Sequence, residues 1–154
     1  MPATKRPVPA APEPEAIRRS LPLLLLQARE AVMEHFRPLL REHGVSEQQW
    51  RVIRALKSEG PLEIGRLADI CSLHGPSLTG MLGRMEQAAY VQRRRRAEDQ
   101  RVVIVELQPA AEALFEAMRE GMQTQYRLLE KKLGRQDLAR LYQTLDELVA
   151  KLTE

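Results

Sequence analysis

Apolar residues recur every three or four positions along most of this chain, the spacing that lines them up on one helix face. The first stripe runs through Leu21, Leu24, Leu25, Ala28, Val32, Phe36, Leu39 and Leu40. Ser20 is a good N-cap for it, Pro22 is tolerated in the first turn, Pro38 is placed to kink it and Gly44 to end it. Ser46-Glu-Gln-Gln49 then reads as a capping box that opens a second helix, with Trp50, Ile53 and Leu56 turned inward and Gly60-Pro61 as its stop. A third helix is predicted over about Glu63 to Ile70. A fourth runs from Pro76 to about Ala88, with Leu78, Met81, Leu82 and Met85 on its apolar side. Beyond it the period changes. Two short strands are predicted, near Tyr90–Arg94 and Arg101–Leu107, around a polar hairpin tip. In the second, Val103, Val105 and Leu107 alternate with Val102, Ile104 and Glu106. Helical spacing returns from about Pro109 to Leu133, capped by Gly134. A heptad-like seam of Leu138, Leu141, Tyr142, Leu145, Leu148, Val149 and Leu152 follows.

Helix, turn, helix and two-stranded ribbon, in that order, is the layout of a winged helix-turn-helix. The expected fold class is therefore mainly α (α+β), with N- and C-terminal helices forming a dimerisation domain. Residues 1–16, rich in Pro and Ala, read as a disordered tail. Residues 46–108 form the winged helix-turn-helix, and residues 17–45 with 109–154 the helical dimerisation region. The apolar faces of the last two helices, the first of which carries Leu114, Phe115, Met118, Met122, Tyr126, Leu129 and Leu133, exceed what one small winged domain can cover. A homodimer is expected for that reason.

The chemistry of the pieces agrees with the layout. A recognition helix needs small polar side chains near its N-terminus to approach base edges in the major groove, and Ser77, Thr79 and Gly80 supply them, with Arg84 further along. A hairpin tip entering the electronegative minor groove needs arginines. Arg93, Arg94, Arg95, Arg96 and, on the return strand, Arg101 meet that need. Double-stranded DNA is the expected partner.

Charge sharpens this reading. The net charge of +3 looks unremarkable, but residues 74–105 hold six arginines against three carboxylates, a local surplus as large as the chain's total. Residues 106–154 carry two more acidic than basic side chains. At 154 residues the chain suits one domain with extended arms, and only 4% aromatic residues fit a helical protein built on Leu and Ala. Its one cysteine, Cys71, cannot form an internal disulfide, and no Cys/His cluster has metal-site spacing, so neither metal nor cofactor is expected. The longest purely apolar run, Leu23 to Leu26, is far too short for a bilayer span, and the N-terminus lacks a signal-peptide core. A cytoplasmic location follows as an expectation. Three scattered histidines and no base–nucleophile pair argue against an enzyme.

The run Pro76-Ser-Leu-Thr79, then Met85-Glu86, Val91, Asp99-Gln-Arg101 and Val105-Glu-Leu107 resembles the MarR family of bacterial transcription regulators, over residues 20–152. Asp-x-Arg followed by the Val-x-Leu strand is the most specific mark. The stretches Leu25-Leu-Gln-Ala-Arg-Glu30, Phe36-Arg-Pro38 and His43-Gly-Val-Ser-Glu-Gln-Gln-Trp50 are similar to the homoprotocatechuate-operon regulators within it. The resemblance implies a triangular homodimer whose recognition helices read half-sites about one turn, or roughly 34–36 Å, apart. It also implies that Arg101 holds or reaches the minor groove while Asp99 orients it. The sequence departs from the family at Gln108-Pro109-Ala110-Ala111, at Gly80, where relatives often carry Arg, and at His74-Gly75.

A sensor function is expected as well. Arg29 interrupts the first apolar stripe, and a guanidinium there needs an anion, either a neighbouring carboxylate such as Glu30 or Glu34 or a ligand's carboxylate held bidentately. The resemblance places effector pockets near these helices. Trp50 could stack an aromatic ring, and His43 and Arg54 could add polar contacts. The expected effector is a small aromatic carboxylate, a phenolic acid or a hydroxylated pyridine carboxylate. The competing readings are an effector-blind architectural protein and a redox sensor built on Cys71.

Overall fold

The computed structural model describes residues 19–153; the tail expected over residues 1–16 lies outside them. Among the described residues the chain forms helix α1 (Leu21–Glu42), α2 (Glu47–Glu59), strand β1 (Leu62–Glu63), α3 (Ile64–Cys71), α4 (Gly75–Gln87), β2 (Val91–Arg95), β3 (Val103–Leu107), α5 (Pro109–Leu133) and α6 (Arg135–Leu152). The chain divides within α1 into two units, one reaching Glu34 and the other starting at His35.

Local chemistry sets the boundaries. Gly44, at φ 65°, ends α1 in a left-handed turn, with the Val45 N–H donating back to the Leu40 carbonyl as in a Schellman motif. The capping box at Ser46 is complete: its hydroxyl accepts from the Gln49 N–H, and the Gln49 side chain accepts from the Ser46 N–H, both at 3.1 Å. Helix α1 continues through Pro38, and Gly134 ends α5 at φ 87°.

Three expectations need correction. The sheet has three antiparallel strands in the order β1-β3-β2, because Leu62 and Glu63 pair with Val105 and Ile104. Two residues are too few to carry an alternating signal, and they delay α3 to Ile64. The return strand starts at Val103, since the Val102 N–H closes a turn onto the Asp99 carbonyl and leaves Arg101 in that turn. Finally, β3 is the central strand, so Ile104 and Val105 are both buried and the expected in–out alternation does not hold.

The core of the 35–154 unit gathers Val52 and Ile53 from α2, Leu67 from α3, Leu78, Leu82 and Met85 from α4, Val105 from β3 and Met118 from α5, all fully buried. Each such side chain contributes about 1.5–3 kcal/mol of burial free energy. This core fixes α4 against the sheet through one face and leaves its other face to solvent.

Candidate nucleic-acid interface and ligand cavity

The exposed face of α4 carries Ser77, Thr79, Gly80 and Arg84. Thr79 donates its hydroxyl to the Gly75 carbonyl at 3.0 Å and is exposed beside Gly80. Ser77 and Arg84 border a concavity shared with Ser46, Gln48 and Gln49 at the start of α2. Among the described residues the Arg84 guanidinium has no hydrogen-bond or ion-pair partner.

The four arginines of the run have separate partners. Arg93 gives its backbone N–H and Nε to Glu86 Oε1, each at 2.9 Å, and its Nη2 to Oε2 at 3.0 Å. Hydrogen bonding from Arg93 holds the Glu86 carboxyl below the usual glutamate range, burial opposing it. The same bonds push the Arg93 guanidinium up, again against burial. Arg94 lies 3.7 Å from Glu106, its diagonal neighbour on β3, and Arg95 donates to the Gln100 carbonyl at 2.6 Å. Arg96 pairs with Glu63 of β1.

Arg101 differs from these four. Its side chain is 92% exposed at the wing's turn, and its backbone N–H and Nε both reach Asp99 Oδ1, at 3.0 and 3.2 Å. The carboxylate thus fixes the base of a side chain whose far end projects into solvent, the arrangement a groove-probing arginine requires.

A second site opens between α2 and α5, a cavity of about 300 Å³ lined by Trp50 and Arg54 from α2 and by Phe115, Arg119, Met122, Gln123 and Tyr126 from α5. The rings of Trp50 and Phe115 stack with centroids 5.6 Å apart and planes 18° from parallel, and Tyr126 packs on Phe36 at 4.9 Å. Lys57 and Arg119 sit over the Phe115 ring at 5.4 and 5.9 Å. Of the residues expected to hold a ligand, Trp50 and Arg54 share this cavity. His43 lies outside its lining, with Nδ1 3.0 Å from the Leu39 carbonyl oxygen. Arg29 belongs to residues 1–34 and pairs with Glu30 at 3.0 Å. Sequence reasoning placed Phe115, Met122 and Tyr126 in an apolar stripe and passed over Arg119. The signal was present: Phe115/Arg119 repeats the i, i+4 spacing of Trp50/Arg54.

Cys71 ends α3 with 4% of its surface exposed. Burial pushes its thiol up, while the nearby Arg51 guanidinium pulls the other way. Arg51 Nη1 donates to the Cys71 carbonyl at 2.7 Å and ties α2 to the turn that precedes α4. Among the described residues no helix is long and apolar enough to cross a membrane.

The MarR family pattern matches residues 45–103, which contain both α4 and the wing arginines. The HTH-type transcriptional regulator FarR of Neisseria gonorrhoeae is 40% identical over 129 residues, covering 84% of this chain and 88% of that protein. The homoprotocatechuate degradative operon repressor of Escherichia coli is 36% identical over 131 residues, covering 85% and 88%. The solved structure of NadR in complex with 4-hydroxyphenylacetate superposes with a TM-score of 0.76 at 36% identity, over 96% of this chain and 97% of that one. With its winged helix-turn-helix, its Asp99–Arg101 turn and relatives that are transcriptional regulators, this chain belongs to the MarR family and is a DNA-binding transcriptional repressor.

Proposed function

We propose that the protein is a ligand-responsive repressor: a homodimer that binds a pseudo-palindromic operator and is released from it by a small aromatic carboxylate. Residues 46–108 act as the DNA-binding domain, and residues 17–45 with 109–154 pair the two copies. The observation that carries the DNA reading is Arg101, braced at its base by Asp99 and otherwise 92% exposed. It enters the minor groove while Ser77, Thr79, Gly80 and Arg84 face the major groove. Arg93 and Arg96, which are tied to Glu86 and Glu63, hold the wing's shape.

The cavity supports the effector. Three of its seven lining residues are aromatic, its cations are Arg54 and Arg119, and the Arg54 guanidinium has no hydrogen-bond or ion-pair partner among the described residues. NadR, a relative at 36% identity, was solved with 4-hydroxyphenylacetate, a ligand of the class such a site takes. Phenolic acids therefore lead, and hydroxylated pyridine carboxylates come second. Binding at α2 reaches α4 through the Arg51–Cys71 bond, and a coupling of about 1–3 kcal/mol is enough to change operator occupancy. A redox switch at Cys71 is disfavoured, because burial and a raised pKa both work against the thiolate.

The test is operator binding by the full chain across a salt series and a panel of aromatic acids. Wild type should bind less tightly as salt rises, and Arg101→Ala should lose about 1–3 kcal/mol of operator affinity while remaining folded. At least one aromatic acid should release the operator. Wild-type affinity in Arg101→Ala would refute the wing assignment, and indifference to every acid would favour the architectural reading.

A further inference from the structure

The two walls of the cavity repeat one motif. Trp50 and Arg54 stand one turn apart on α2, and Phe115 and Arg119 one turn apart on α5. The aromatic members stack on each other. Their helices cross antiparallel: beyond Trp50 along α2, Lys57 pairs with Glu112, which precedes Phe115 on α5. Each arginine is therefore displaced from the aromatic pair by about 6 Å along its own helix, and in opposite directions. The two arginines are rooted toward opposite ends of the aromatic pair, not side by side.

No Asp or Glu lines the cavity to neutralise either one. The Arg54 guanidinium has no hydrogen-bond or ion-pair partner among the described residues. Arg119 reaches Glu116 at 2.6 Å, but that pair lies on one helix face with both side chains more than half exposed, where pairing is weak. Phe115 beneath Arg119 keeps its guanidinium over the floor.

We propose that this site is built for an aromatic dianion: one ring bearing two acidic groups at opposite ends, one taken by Arg54 and the other by Arg119. The inference rests on the effector-pocket reading above and specifies its ligand. A monoanion would engage one guanidinium and leave the other to solvent or, for Arg119, to its exposed pair with Glu116. A second acid adds a second charge-assisted contact, to a guanidinium whose planar fork suits a carboxylate. A cavity of about 300 Å³ accommodates a single substituted ring.

Trp50 is the sole tryptophan, so its emission reports occupancy directly. The probes are 4-carboxyphenylacetate as the diacid, with phenylacetate and 4-hydroxyphenylacetate as monoacids. Wild type should bind the diacid at least about tenfold more tightly than either monoacid and be released from the operator in the same order. Arg119→Gln should abolish that advantage with little change for phenylacetate, and Arg119→Lys should restore part of it. Far-UV circular dichroism checks that each variant is folded. A diacid that binds no better than the monoacids, or an advantage that survives Arg119→Gln, overturns the proposal and leaves the effector pocket standing. If no acid of either kind alters Trp50 emission, the pocket reading falls and this inference with it.

Discussion

Glu86 accepts three hydrogen bonds from one arginine, and this makes it the most strongly held carboxylate at the interface. Its pKa is depressed in the folded protein, so its contribution to stability is complete above the ordinary glutamate range and is lost as pH falls through the lowered value. Glu86→Gln should cost on the order of 1 kcal/mol at neutral pH, a figure discounted because the side chain is one-third exposed. The wild-type and variant stabilities should converge as pH drops below about 4.3, the ordinary glutamate value. Denaturant melts at several pH values read the difference, and a gap that persists in acid would refute the charge-based account. At this scale the sequence was only half legible. Four consecutive arginines read as one basic tip, and a surplus of charge there was evident. Their division of labour was not, because the partners Glu86, Glu63 and Glu106 come from α4, β1 and β3. Strand geometry turns Arg93 toward α4 and Arg94 to the opposite face, and run length carries no information about either. Asp99 and Arg101 were legible because both belong to one turn.

Elements were legible in proportion to their length and their caps. The capping box at Ser46, the stop at Gly44 and the 25-residue α5 ended by Gly134 follow from side-chain chemistry within a few residues. Strand β1 was not, since two residues have no period and its pairing with β3 is a tertiary fact. Nor was the close crossing of α1 and α5. A Cβ added at Gly121 would lie 2.7 and 2.9 Å from the Leu39 methyl carbons. In a helix, Gly→Ala alone gains up to about 1 kcal/mol, whereas overpacking a core contact costs about 1–3 kcal/mol. Leu39 is half-buried and must shift its isobutyl group to make room. Gly121→Ala is therefore expected to be net destabilising by about 1 kcal/mol in the wild-type background. In a Leu39→Ala background the same change should become stabilising, as the helix propensity term is then unopposed. A double-mutant cycle by chemical denaturation gives both signs, and the same sign in both backgrounds would rule out a steric origin.

At the scale of the whole molecule the apolar surface is unevenly spent. No residue of α6 is buried, yet Leu141, Tyr142, Leu145, Val149 and Leu152 recur along it at three- and four-residue steps and are between 36% and 75% exposed. In the other unit, Leu21 and Leu23 through Leu26 are likewise exposed on α1. Rows of this extent are larger than the scattered apolar exposure of a monomer and mark surfaces that associate. Replacing Leu145 and Val149 together by Glu puts two charges into the α6 row without touching the core around Ile53, Leu82 and Met118. The doubly substituted chain should keep its helical content and sediment near the 17.6 kDa of one copy, whereas wild type is expected at about twice that mass. Operator affinity should then fall much further than in Arg101→Ala, because a monomer engages one half-site and loses the contacts of the second recognition helix and wing together. A monomer that still binds the operator as tightly as wild type would mean that one copy suffices. A variant that remains dimeric would place the pairing surface elsewhere than α6.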